Sequence, residues 1–155
     1  PHTVATTRRM TEVGIPVMAH LGLTPQHVNR LGGYTRQGTE QEAAEEIIDL
    51  AGEHEAAGAF ALVLEHVPAN LAGAVTEALS IPTIGIGAGP ACGGQVLVIN
   101  DAVGLGERSP PFAKRFGDVR TEMVGAVEAY REAVTSGEFP AEEHSHVEEE
   151  LGDLY

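Results

Sequence analysis

Two stretches decide how this chain folds: Val17-Met18-Ala19-His20-Leu21-Gly22-Leu23-Thr24-Pro25 and Leu62-Val63-Leu64-Glu65-His66-Val67-Pro68. Each is a short apolar run that carries one ionisable side chain at its end and then meets Gly or Pro. A buried parallel strand delivers a functional group to a loop at the carboxyl edge of a sheet in this way. A third run, Thr83-Ile84-Gly85-Ile86-Gly87-Ala88-Gly89, ends in glycines instead, which suits close approach of backbone to a ligand. The three read as neighbouring walls of one site.

Between these runs the pattern turns helical. Thr3–Glu12 reads as the end of a helix stopped by Gly14 and Pro16, before a strand at Val17–Leu21. Gly22–Gly38 is a Gly-rich loop, with Thr24-Pro25 capping a short helical turn. A helix is expected over Thr39–Ala57, with Thr39 as cap, Glu42 completing a capping box, and Ala43, Ile47, Ile48 and Leu50 on its apolar face. Phe60–Glu65 follows as a strand, and Pro68 opens a helix to about Leu79. Thr83–Ile86 and Val96–Ile99 are the remaining strands and Pro110–Phe116 a short helix. Asp118 caps a long helix to about Ser136, with Val119, Met123, Val127, Tyr130 and Val134 on one side. Gly14-Ile15-Pro16 and Ser80-Ile81-Pro82, each ahead of a strand, are a faint internal echo. Repeated strand–helix alternation predicts an α/β fold with a parallel sheet and right-handed crossovers, either half a barrel or a small open sheet.

The 155 residues suffice for one domain with a real core but fall short of the roughly 250 typical of a complete eight-stranded α/β barrel. The chain starts at Pro1 and runs at once into helix-like sequence, so a piece of a longer polypeptide is expected. No signal peptide or membrane-length apolar run is read, and the single Cys92 fits a reducing, cytoplasmic compartment. A net charge of −14 argues against nucleic-acid partners. Eight Arg and one Lys, Lys114, stand against 23 acidic residues. Such an acidic, Lys-poor composition suits a protein working in high salt, where screening removes self-repulsion.

Glu65 closes an otherwise apolar strand, where partial desolvation would strengthen it as a base; a loop-capping or Arg-paired carboxylate is the equal alternative. From pattern alone His20 reads as a hydrogen-bonded strand-end histidine. Gly85, Gly87 and Gly89 could cradle a phosphate, and Gly89 serves equally as a structural turn. His144 and His146 sit among glutamates and read as solvated charge rather than a metal cluster. Glu53-His54-Glu55 reads as a solvated helix face, His66 as pointing away from Glu65, and Cys92 as an inert loop thiol.

Taken in order, Ala19-His20-Leu21-Gly22-Leu23-Thr24-Pro25-Gln26, Gly32-Gly33-Tyr34, Gln37-Gly38, Leu62-Val63-Leu64-Glu65 with Val67-Pro68, Ile84-Gly85-Ile86-Gly87-Ala88-Gly89, Gly94-Gln95-Val96-Leu97-Val98, Asp101, Phe112-Ala113-Lys114 and Glu142-Glu143-His144-Ser145 resemble the ketopantoate hydroxymethyltransferase family. The resemblance runs from Thr3 to about His146 and falls on the carboxyl-terminal part of that family. It implies a (β/α)8 TIM barrel of which this chain holds about strands 5 to 8 and the C-terminal helices. Residues 1–139 would be the barrel part and 140–155 an acidic tail, loose or docked on a partner chain.

The implied reaction transfers a hydroxymethyl group from 5,10-methylenetetrahydrofolate to 3-methyl-2-oxobutanoate. The resemblance makes Glu65 the base, His20 a supporting active-site residue, and Gly85 and Gly87 positions that leave room for substrate or pterin. It also implies Mg2+, whose aspartate ligands belong to the first four strands of the family, as do a glutamate near the metal and a substrate-binding lysine. None of those positions is in this sequence, and Gly93 stands where the family often has Asp. Homo-oligomers, commonly decamers, are implied as well, acting on small molecules with no nucleic acid or membrane. Two other readings are an inactive half-barrel serving as an assembly or binding module and another metal-dependent barrel enzyme acting on 2-oxo acids.

Overall fold

The computed structural model describes residues 2–24 and 36–148. The expected helical turn at Thr24-Pro25, the Gly32-Gly33-Tyr34 motif and the last residues of the tail therefore lie wholly or partly outside the described residues. Strand and helix alternate up to the third strand, as the sequence predicts: α1 His2–Glu12, β1 Met18–Gly22, α2 Gln41–Ala56, β2 Ala61–Glu65, α3 Ala69–Ala78 and β3 Thr83–Ile86, after which β4 Gly94–Gln95 follows directly. The four strands form one parallel sheet in sequential order, β1-β2-β3-β4. That is an α/β fold with the strand order of a barrel segment.

The register aligns His20 with Val63 and Gly22 with Glu65 across β1 and β2, and Glu65 with Ile86 across β2 and β3. Because side chains alternate along a strand, one face carries Ala19, Leu21, Leu62 and Leu64, buried with Ile47, Ala51, Leu71, Ala72 and Val75 of the helical layer. The other face carries His20, Val63 and Glu65. Leu62, Leu64, Ala72 and Val75 are fully enclosed. Truncating either leucine to Ala there would cost about 2–5 kcal/mol.

Several elements depart from expectation. Helix α2 starts at Gln41 behind Glu40, which makes no side-chain cap, so neither Thr39 nor a capping box forms there. Its buried stripe is Ile47, Ala51 and His54, one helical face at i, i+4 and i+7. His54 is therefore not part of a solvated face: it is 3% exposed, and its Nδ1 lies 3.0 Å from Thr7 Oγ1 of α1. Glu55 also has a structural task, with its Oε1 accepting from Ser80 N–H, Ser80 Oγ and Ile81 N–H. The expected strand at Val96–Ile99 does not form. Sheet pairing ends with Gly94-Gln95 and one further bond, Val96 N–H to Gly85 C=O at 3.0 Å, and Ile99–Ala102 is a helical turn, α4. The apolar run resembles a buried strand, yet Val96, Val98 and Ile99 are all exposed. Pro110–Phe116 is a turn closed by Ala113 N–H on Pro110 C=O, not a helix, and Phe116 N–H goes to Ala102 C=O instead of back into the turn.

Residues 99–109 and 114–155 form a second compact unit. Its long helix, α5 Val119–Ser136, starts where Asp118 accepts Thr121 N–H and ends at Gly137 in the left-handed conformation, as expected. The side carrying Val119, Met123, Val127, Tyr130 and Val134 is exposed. The 140–148 stretch includes a short 3-10 turn, Glu142–His144.

Burial holds the His54 imidazole below its ordinary value of 6.5, with the Glu53 carboxylate pulling the other way. A lowered histidine means the unfolded chain binds the extra proton first. The stabilisation is complete above about pH 6.5 and is lost as pH falls from there through the folded value. Melting temperature is expected to drop over that range in the wild type, with a flatter profile in His54→Gln. His54→Ala should cost about 1–3 kcal/mol at neutral pH by leaving the Thr7 hydroxyl without its buried partner.

Candidate active site

The carboxyl ends of β1 and β2 bring the two principal candidates together. His20 and Glu65 share a face on adjacent strands, offset by two residues in register, which lets a long carboxylate reach back to the imidazole. His20 Nε2 stands 3.1 Å from Glu65 Oε2, with side-chain exposures of 32% and 14%. The Nε2 atom itself is closed to solvent and makes no hydrogen bond among the described residues. The contact is thus an ion-pair distance without an aligned hydrogen bond. Among the described residues the ion-pair partner of Glu65 is His20 and not an arginine.

Backbone around the pair is tightly specified. Gly22 has φ +92°, and a Cβ there would strike the Glu65 carbonyl and Val67 Cγ1. This close approach lets Leu23 N–H donate to Glu65 C=O at 2.8 Å. One residue on, Gln37 N–H donates to His66 C=O at 3.1 Å, so consecutive carbonyls after β2 hold both feet of the loop between β1 and α2.

The glycines in and just after the third strand lie close to the protein's own groups. Gly85 aligns with Leu64 and faces the helical layer; a Cβ there would meet Cys92 Sγ at 3.0 Å and Gln95 Nε2 at 3.1 Å. The space beside Gly87, φ +62°, holds the Phe112 ring, whose Cγ would lie 2.6 Å from an added Cβ. In both places an added side chain would meet the protein's own groups. Gly89 is a structural turn with φ +77°, its carbonyl accepting from Gln95 Nε2 at 2.9 Å.

Two residues of this region are missed by sequence reasoning. His66 is buried, with its ring centroid 5.0 Å from that of Phe112. The signal was its place after the last strand residue, where a turn needs positive φ and His is tolerated better than most side chains. Phe112, behind two prolines, gives no sign of packing on Gly87. His144 stacks near Phe139 and accepts Ala141 N–H through Nδ1.

The implied Mg2+ finds no centre among these side chains. Among the described residues no group of three or more His, Cys, Asp and Glu side chains gathers as a ligand set, and the two donors at the site, His20 and Glu65, face each other. The described residues therefore do not fit the ion on their own.

A carboxylate and an imidazole meeting at the carboxyl ends of adjacent parallel strands is the layout of the functional face of α/β barrels. The sequence profile of ketopantoate hydroxymethyltransferase matches residues 1–142. The chain is 71% identical over its whole length to 3-methyl-2-oxobutanoate hydroxymethyltransferase of Haloarcula marismortui and 67% identical to that of Halobacterium salinarum, covering 57% of each relative. It is 54% identical over 145 residues to the Geobacter sulfurreducens protein of the same name, which takes in 93% of this chain and 54% of that one. The chain belongs to the ketopantoate hydroxymethyltransferase family, and it spans a little over half the length of these relatives.

Proposed function

We propose that the full-length gene product transfers a hydroxymethyl group to 3-methyl-2-oxobutanoate from 5,10-methylenetetrahydrofolate, and that this chain supplies the base. The His20–Glu65 pair at the carboxyl edge carries the reading. The relatives' names give the 2-oxo acid and the transferred group. The carbon next to the ketone must lose a proton before it can attack. Glu65 takes that proton on its carboxylate, and the C–H electron pair moves into the enolate of the 2-oxo acid. His20 stands beside the carboxylate, its Nε2 3.1 Å from Glu65 Oε2, where it supports the base.

Mg2+ bound elsewhere in the full-length protein would supply Lewis-acid polarisation of the substrate. A cytoplasmic homo-oligomer acting on small molecules completes the proposal. Incubating the purified full-length protein with 3-methyl-2-oxobutanoate and 5,10-methylenetetrahydrofolate tests it directly: 2-dehydropantoate forms if it holds, and no such product rejects it.

High-salt adaptation is part of the same proposal, supported by the −14 net charge and by the halophilic relatives. Screening length shrinks from about 10 Å at 0.1 M salt to about 3 Å at 1 M. The melting temperature should therefore rise steadily with KCl across that range, and a flat or falling profile would count against the adaptation.

A further inference from the structure

We propose that His66 is a positioning residue for Glu65, its left-handed backbone and its ring on Phe112 fixing the direction in which the carboxylate is presented. The inference rests on the reading of Glu65 as the base. Among the described residues His66 is the non-glycine residue with positive φ, at +51°. A residue in that sparsely populated region persists only where its surroundings over-determine it, and such residues collect at functional sites.

The surroundings here form a closed circuit. His66 N–H donates to Ile86 C=O at 2.8 Å, which ends β2 against β3. Ile86 leads into Gly87, and the Phe112 ring lies over Gly87 because no side chain stands in its way. Phe112 in turn meets the His66 imidazole at 5.0 Å with a tilt of 43°. The circuit starts and finishes at the residue that follows the base. Across it, Leu23 N–H on Glu65 C=O and Gln37 N–H on His66 C=O bind the loop feet to the same turn.

Burial first, and then the Arg36 charge, hold the imidazole below its ordinary value, with Glu65 opposing. Both effects favour the neutral ring. A neutral ring seats on the Phe112 face and leaves the Glu65 carboxylate to His20. His66 acts through Glu65 and takes no proton from substrate.

The test uses the full-length protein and follows exchange of the C3 proton of 3-methyl-2-oxobutanoate in D2O, together with backbone amide exchange. His66→Gly keeps the left-handed turn and removes the ring; Phe112→Leu removes the partner and keeps His66. Each is expected to lower kcat for C3 exchange by about 10- to 100-fold with KM changed less than about twofold, since small misplacements of a reacting group have effects of this size. The double variant should be no worse than the poorer single one, because both break one circuit. Amide exchange at Leu23 and Gln37 should speed up in His66→Gly.

Wild-type kcat in His66→Gly, with exchange abolished in Glu65→Gln, overturns the positioning role and leaves Glu65 as base. A raised KM at unchanged kcat overturns it in favour of substrate binding. Exchange retained in Glu65→Gln removes the base itself and, with it, anything for His66 to position.

Discussion

Glu65→Gln in the full-length protein is expected to cut hydroxymethyl transfer by about 10²- to 10⁴-fold, the range a positioned general base contributes. Glutamine keeps the length and shape of the side chain and can still meet His20 Nε2, now through a neutral amide. It cannot accept the substrate proton at the working pH. The loss should fall on kcat, because nothing in the change removes a group that only holds the ground state. Far-UV circular dichroism should be unchanged, since Glu65 lies on the sheet face opposite the enclosed Leu62–Leu64 core. A variant retaining more than about a tenth of wild-type kcat would mean that another group removes the proton.

Gly22→Ala is expected to damage both fold and activity through one collision. At φ +92° a methyl group is strained by itself, by about 1–2 kcal/mol. The methyl would also meet the Glu65 carbonyl, and backbone cannot rotate away as a flexible side chain can. Overpacking of this sort adds about 1–3 kcal/mol. Together the urea midpoint should fall by the equivalent of about 2–5 kcal/mol with little change in m-value. The strands that carry His20 and Glu65 would be pushed apart at their carboxyl ends, so kcat should fall on the order of 100-fold in the fraction that remains folded. Native stability with native kcat would show that β1 and β2 do not need this approach.

The inner strands were legible because each is an apolar run of strand length ended by an ionisable residue or glycine and then by a helix signal. The ends of these runs marked His20 and Glu65, and the family resemblance gave them their roles; their pairing follows from the register, which no local pattern states. Elsewhere local pattern misled for identifiable reasons. Val96–Ile99 has the composition of a buried strand, but pairing is made by backbone at Gly94-Gln95 and the apolar side chains stay exposed. His54 between two glutamates reads as surface, while the 3.6-residue period turns it alone inward, onto Thr7. The groups beside Gly85 and Gly87, Cys92 and Phe112, come from loops whose paths no local pattern determines. His66 was hidden by the assumption that the strand continues past Glu65, when the backbone turns left-handed there.

The most direct test of the central claim is deuterium incorporation at C3 of 3-methyl-2-oxobutanoate, followed by proton NMR in D2O with no folate donor present. Omitting the donor isolates the proton-transfer step from the carbon–carbon bond that follows. The full-length wild-type protein should exchange the C3 proton, and Glu65→Gln should leave it at the uncatalysed rate. Equal exchange by the two proteins would contradict the assignment of Glu65 as the base.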